Sequence, residues 1–292
     1  MRALWCAVAL ACAAPGAAGA QAVAAARDAG LALLAAGQAD SAVRLLAPLA
    51  ASAPTDASAQ LAYARALSAR VGARRTRRIL DVWAYRGALA RAHAAAPRAP
   101  EVLEAWGWFH ALAPWWTGAS AAAAERARDT LLAVAPYRGE LLAAGLARIR
   151  HDAPAAEAAL RRALAAAPDS APAYLQLAVL LEQQARYEEA MALIERYSAL
   201  RPDDRQGLYL RGRIGGAGGV DLERAEAALM AALGMRRRPG EADSAQVFTA
   251  LGRVLAKRGR LPEARDALRQ ALLDDPRDTD AKELRDSLAG PR

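Results

Sequence analysis

Residues 169–202 read DSAPAYLQLAVLLEQQARYEEAMALIERYSALRP, and the fold of the whole chain can be read outward from them. Tyr174, Leu177, Ala178 and Leu181 recur at helical spacing, which predicts an amphipathic helix with one apolar stripe. After a turn expected near Ala185, Tyr187, Ala190, Ile194 and Tyr197 predict a second helix. Pro202 is expected to stop it, because proline lacks an amide donor and clashes with the preceding helical turn.

The same plan recurs with different residues. Phe248, Leu251, Gly252, Leu255, Gly259, Leu261, Ala264, Leu268, Ala271 and Pro276 repeat it near the C-terminus. Gly30, Leu33, Gly37, Ala42, Leu46 and Pro54 repeat it near the N-terminus, and Pro97, Pro136 and Pro168 punctuate the stretch between. The small residues (Gly30, Ala178 and Gly252, then Ala42, Ala190 and Ala264) let two helix backbones approach where a larger side chain would hold them apart. Each helical pair leaves an apolar edge that only the next pair can cover, so a core forms by stacking.

These residues make the chain resemble the tetratricopeptide repeat family. The match is specific over Ala24 to Pro54, Glu140 to Pro168, Ser170 to Pro202 and Ser244 to Pro276, and looser where insertions lengthen the unit. The resemblance divides the chain into about seven units (22–54, 55–97, 98–136, 137–168, 169–202, 203–240 and 241–276) with a capping helix over 278–288. It implies an all-α, right-handed superhelical solenoid whose first helices line a concave groove for partner segments.

Residues 1–20 read as an export signal and 21–292 as the repeat domain. Arg2 supplies a positive start, Ala3 to Ala14 an uncharged apolar stretch, and Ala18-Gly19-Ala20 the small residues a signal peptidase requires. Cleavage there places Gln21 first and leaves the protein periplasmic or extracellular, with a retained anchor or lipidation at Cys12 as the alternative. Cys6 and Cys12 both lie in the signal, so thiolate, disulfide and cysteine–metal chemistry would leave with it.

The formal net charge is +8, which invites a nucleic-acid reading. Lysine occurs only at Lys257 and Lys282, and asparagine is absent, a pattern that fits GC-rich coding better than selection for a polyanion. The arginine runs Arg74, Arg75, Arg77, Arg78 and Arg236, Arg237, Arg238 lack interleaved aromatics, so no specific nucleic-acid partner is expected. No enzymatic activity is expected either. His93, His110 and His151 show no ligand or triad spacing, and no metal site, cofactor or catalytic residue is predicted. Gly215 to Gly219 has no preceding strand and reads as a loosened turn between helices.

The resemblance places one residue per unit in the groove, just after the small residue of each first helix: Leu31, Arg65, Trp108, Leu146, Val179, Arg213 and Arg253. Tyr209 and Lys257 share the face of the last two, because residues four apart coincide on a helix. The partner-binding groove is thus read as Arg65, Trp108, Tyr209, Arg213, Arg253 and Lys257, its C-terminal part basic and suited to an acidic protein or peptide. The family's carboxylate clamp depends on two asparagines, which this chain lacks. Five of the six tryptophans fall between Trp83 and Trp116, in the two longest units. Trp83 and Trp106 are expected in the core. Trp115 and Trp116, bracketed by Pro114 and Gly118, read either as structural or as an aromatic patch for peripheral contact with envelope glycan or anionic lipid.

Overall fold

Two kinds of turn organise the helices, and each is built from backbone hydrogen bonds that the sequence repeats. A computed structural model of the 292-residue chain describes residues 17–73, 79–238 and 240–288, all helix, turn or loop with no strand among them. Most of the segment read as an export signal, with Arg2, Cys6 and Cys12, and the run Arg74, Arg75, Arg77, Arg78 lie outside the described residues. The chain divides into two units, Met1–Val134 and Ala135–Arg292.

The first unit contains α1 (Ala17–Ala35), α2 (Ala39–Ser52), α3 (Ala57–Ala73), α4 (Ile79–Ala95), α5 (Pro100–Leu112), a 3-10 turn (Trp115–Thr117) and α6 (Ala121–Val134). The second contains α7 (Pro136–Ile149), α8 (Ala153–Ala166), α9 (Ala171–Gln183), α10 (Tyr187–Leu200), α11 (Arg205–Gly218), α12 (Leu222–Gly234), α13 (Ser244–Lys257), α14 (Leu261–Asp274) and α15 (Thr279–Leu288). Helices pack as consecutive pairs, and α15 covers the end of the last pair by burying Ala281 against Leu268 and Ala271.

Within a pair, the first helix ends on a left-handed residue. Gly37, His151, Ala185 and Gly259 have φ of 75°, 58°, 57° and 76°. In each case the next amide reaches back to the carbonyl five residues earlier, as Arg186 N–H does to Leu181 O at 2.9 Å. This arrangement satisfies the carbonyls that a helix end leaves open. Between pairs, a proline occupies the second place of a four-residue turn closed by its first and fourth residues: Ala53–Asp56, Ala96–Ala99, Ala167–Ser170, Arg201–Asp204 and Asp275–Asp278. The fourth residue often caps the next helix, as the Asp204 and Asp278 carboxylates do by accepting from Gly207 N–H and Ala281 N–H. Proline therefore stands just past the helix end. Pro136 departs from the pattern and opens α7 as its first residue.

The small residues act as expected of a close crossing. A Cβ on Gly30 would lie 2.6 Å from Leu46, and one on Gly252 would lie 2.8 Å from Leu268. Ala42, Ala178, Ala190 and Ala264 are fully buried. One reading is corrected. Gly215, Gly216 and Gly218 belong to α11, which runs through Gly218, and of this stretch only Gly219 is left-handed, at φ 76°. The glycines are there for proximity. Added Cβ atoms would meet Ala225 at 2.8 Å from Gly215, Val254 at 2.9 Å from Gly216, and Tyr187 at 2.5 Å from Gly218.

Candidate functional site

The first helices α11 and α13, with the final turn and α15, enclose an open cleft of about 390 Å³ in the second unit. Tyr209 and Arg213 reach it from α11 and Arg253 from α13, so three residues that the resemblance and helical spacing put in one groove share one cavity. The helical period puts them there: Tyr209 and Arg213 lie one turn apart on the face of α11 that looks toward α13.

The cleft is less basic than its arginines suggest. Arg213 makes a bidentate pair with Glu182 of α9 and lies 5.5 Å over the Tyr209 ring. Burial works against its cation, but Glu182 and the Tyr209 phenol outweigh that and hold its pKa above the ordinary guanidinium value. Burial also pushes the Tyr209 phenol up. Arg253 forms no ion pair within the described residues and is the cleft's available cation beside Arg277. Asp243, Asp275, Asp278 and Asp280 line the same cleft. Asp278 also accepts from the Thr249 hydroxyl at 2.8 Å, and Asp243 caps α13. The wall therefore carries both signs. Lys257 does not line the cavity; its ammonium donates to Ala217 O at 2.7 Å, at the C-terminal end of α11.

Arg65 and Trp108 belong to the first unit, where Arg65 is exposed on α3 and Trp108 is half-buried on α5. Leu31 and Val179 are half-buried, and Leu146 is buried. The aromatic cluster needs one correction: Trp83 is not a core residue. It is 44% exposed, its ring 6.0 Å from that of Trp116, with Arg86 stacked 5.6 Å from its centroid. Trp116 is 37% exposed and Trp115 85%. The short loop explains the projection. The buried Thr117 hydroxyl donates to Pro114 O at 2.6 Å and left-handed Gly118 closes on Trp115 O, which tightens the backbone beneath and turns Trp115 outward.

Sequence spacing did not reveal that His93 and His110, seventeen positions apart, meet on Trp106. The His93 ring stacks on the indole at 4.9 Å, and His110 meets it edge-on at 4.4 Å. Nor did it reveal buried Arg205, which donates through Nε to Ala232 O at 3.0 Å and also to Ala242 O, holding the extra loop after α12. No cluster of three or more metal-ligating side chains occurs among the described residues, and no described helix is long and apolar enough to cross a membrane.

Residues 141–214 match the tetratricopeptide repeat family. No curated protein matches the chain. Among solved structures, PilW, a widely conserved type IV pilus biogenesis factor, superposes with a TM-score of 0.55 at 20% identity, covering 74% of this chain and 96% of that one. YrrB, a repeat protein with an unusual peptide-binding site, gives 0.52 at 16% identity over 68% of this chain and 97% of that one. The human IFIT1 dimer with m7Gppp-AAAA gives 0.65 at 15% identity over 91% of this chain, which spans 62% of that protein. These likenesses establish the fold, and a peptide-binding site in one neighbour beside m7Gppp-AAAA in another shows how little the fold says about what is bound. Residues 141–214 thus resemble the tetratricopeptide repeat family, and the all-helical fold of most of the chain is similar to that of solved repeat proteins.

Proposed function

We propose that this chain is a non-enzymatic interaction scaffold of a bacterial envelope, holding a partner protein or peptide against its first helices. The observation that supports this reading is the shared cleft of Tyr209, Arg213 and Arg253. An open wall with preformed, oppositely signed side chains suits docking. Because Arg253 and Arg277 line the cleft together with Asp243 and Asp280, the partner segment is read as mixed in charge, with an acidic side chain for Arg253. The PilW and YrrB likenesses agree with protein or peptide partners, without identifying one. Selection from a displayed peptide library tests it: wild type should enrich a consensus containing an acidic residue, and Arg253→Glu should lose that consensus. Enrichment indifferent to Arg253→Glu and Asp280→Lys would remove the cleft from the reading. Export is part of the proposal, and Gln21 as the N-terminus of protein recovered from the envelope is its expected mark.

A second reading has its own support. Leu80 and Leu112 are 82% and 67% exposed in the same unit as Trp115, and Ile79 is exposed beside Leu80. Projecting branched aliphatics suit a lipid interface better than a sugar, which needs flat aromatic faces. Anionic vesicles should shift tryptophan emission to the blue in wild type and not in Trp115→Ser/Leu80→Ser; no shift in wild type would dismiss peripheral lipid contact.

A further inference from the structure

The first unit holds a cleft of about 520 Å³ between the end of α4, the face of α5 and the start of α6, and its polar lining is of one kind. His93, Trp106, His110, Ser120, Arg126 and Thr130 surround it, and no carboxylate does. Trp106 orders both imidazoles, His93 by stacking at an interplanar angle of 10° and His110 edge-on at 74°. Ser120 N–H donates to His110 Nδ1 at 3.1 Å. The neutral His110 ring must then carry its proton on Nε2, which is buried without a hydrogen-bond partner. Nδ1 of His93 is buried and unpartnered in the same way. Arg126 enters no ion pair within the described residues, and the Thr130 hydroxyl is occupied with Arg126 O at 2.9 Å. An unpaired cation, an unpartnered N–H donor and an absence of negative charge form a complement that only an acceptor satisfies.

We infer that this cleft is a binding site for a small oxyanion, a carboxylate- or phosphate-bearing ligand held by Arg126 and His110 Nε2–H against the Trp106–His93 stack. The site is independent of the C-terminal cleft. A cationic ligand or metal ion would meet Arg126 at close range and find no carboxylate to offset it. The surroundings agree with an absent counter-charge. Burial, together with Arg126 from α6 and Arg86 and His93 from α4, keeps the His110 pKa below the ordinary imidazole value, and burial does the same for His93. A bound anion reverses the electrostatic part. By reciprocal linkage, His110 then titrates higher, and the anion binds more tightly as pH falls.

The experiment is an NMR pH titration of the histidine ring protons of the full chain in sodium chloride, inorganic phosphate or succinate at equal ionic strength, with calorimetric titration alongside. One or both polyatomic anions should raise the His110 pKa above its value in chloride. Phosphate alone doing so indicates a phosphoryl ligand, and succinate alone a carboxylate. Arg126→Gln, at an exposed position, should weaken binding by about tenfold or more. His110→Phe keeps the ring contact with Trp106, removes the donor and should do likewise. Titration curves that superpose in all three salts, or wild-type affinity in both variants, would overturn the assignment.

Discussion

Helix α11 and the α4–α6 region solve the same packing problem in opposite ways. Five of the fourteen residues of α11 are glycine, each costing about 1 kcal/mol of helix propensity relative to alanine. The helix persists because α10, α12 and α13 press on its glycines, closer than side chains would allow. Its arginines are spent on its surroundings, Arg205 on backbone carbonyls and Arg213 on Glu182. Around α4, α5 and the 3-10 turn, large aromatics replace small residues, and the register they fill is longer. Some of their groups find no partner there: Trp115 projects, Trp83 and Trp116 lean on each other at the surface, and two imidazole nitrogens are unsatisfied. Around α11 the neighbours consume the side chains. Around α4–α6 chemistry is left over for a ligand.

The comparison can be broken most severely at Gly212. Its added Cβ would lie 2.1 Å from the fully buried Leu229 side chain, so Gly212→Ala should cost the second unit about 2–3 kcal/mol by overpacking. Gly234→Ala, which meets nothing within 4 Å, should be neutral or stabilising. Equal denaturation midpoints for the two variants would mean that proximity is not why α11 uses glycine.

The first unit should respond to acid through its histidines. Both pKa values lie below the ordinary 6.5 when folded, so between those values and 6.5 the unfolded chain binds more protons than the folded one. Stability therefore falls as pH drops through the unfolded value. Thermal melts at pH 7.5 and 5.5 should show a loss at the lower pH that His93→Phe/His110→Phe reduces; an unchanged difference would refute the linkage.

Ion pairs between successive helix pairs should matter less. Glu226 of α12 accepts from Arg258 and from Arg260, and Arg260 also pairs with Glu263 at 3.1 Å, an arrangement mirrored by Glu157, Arg186 and Glu189. These groups are partly exposed, so Glu226→Gln should cost about 1 kcal/mol, and less in high salt. A salt-independent loss would point to packing instead. The smallest effect sharpens the turn argument. His151 and Ala185 adopt the left-handed conformation that Gly37 and Gly259 supply without strain, and His151→Gly or Ala185→Gly should add about 0.5–1 kcal/mol. Destabilisation by either would show that side chain and helix propensity outweigh backbone strain there.

The helical pairs were legible in the sequence because their causes are local. A stripe at i, i+3 and i+4, a proline in the turn and a small residue at each crossing are all written within a few dozen residues, as in 169–202. The family resemblance placed Arg213 and Arg253 in one groove and the helical period added Tyr209, and all three line one cleft. What that placement could not convey is which charges have already been answered. Glu182 neutralises Arg213 from thirty-one residues away, Asp280 arrives from α15, and Lys257 turns back to Ala217. The glycine run was misread for the same reason, since a turn and a tight crossing have one composition and differ only in what approaches from outside. Periodicity along the chain thus determined the helices, their pairing and the faces they present. Only the tertiary structure decided that Trp115 stands in solvent, that His93 and His110 share Trp106, and that the arginine cleft carries both signs, because exposure and net field are sums over neighbours that stacking, not sequence order, brings together.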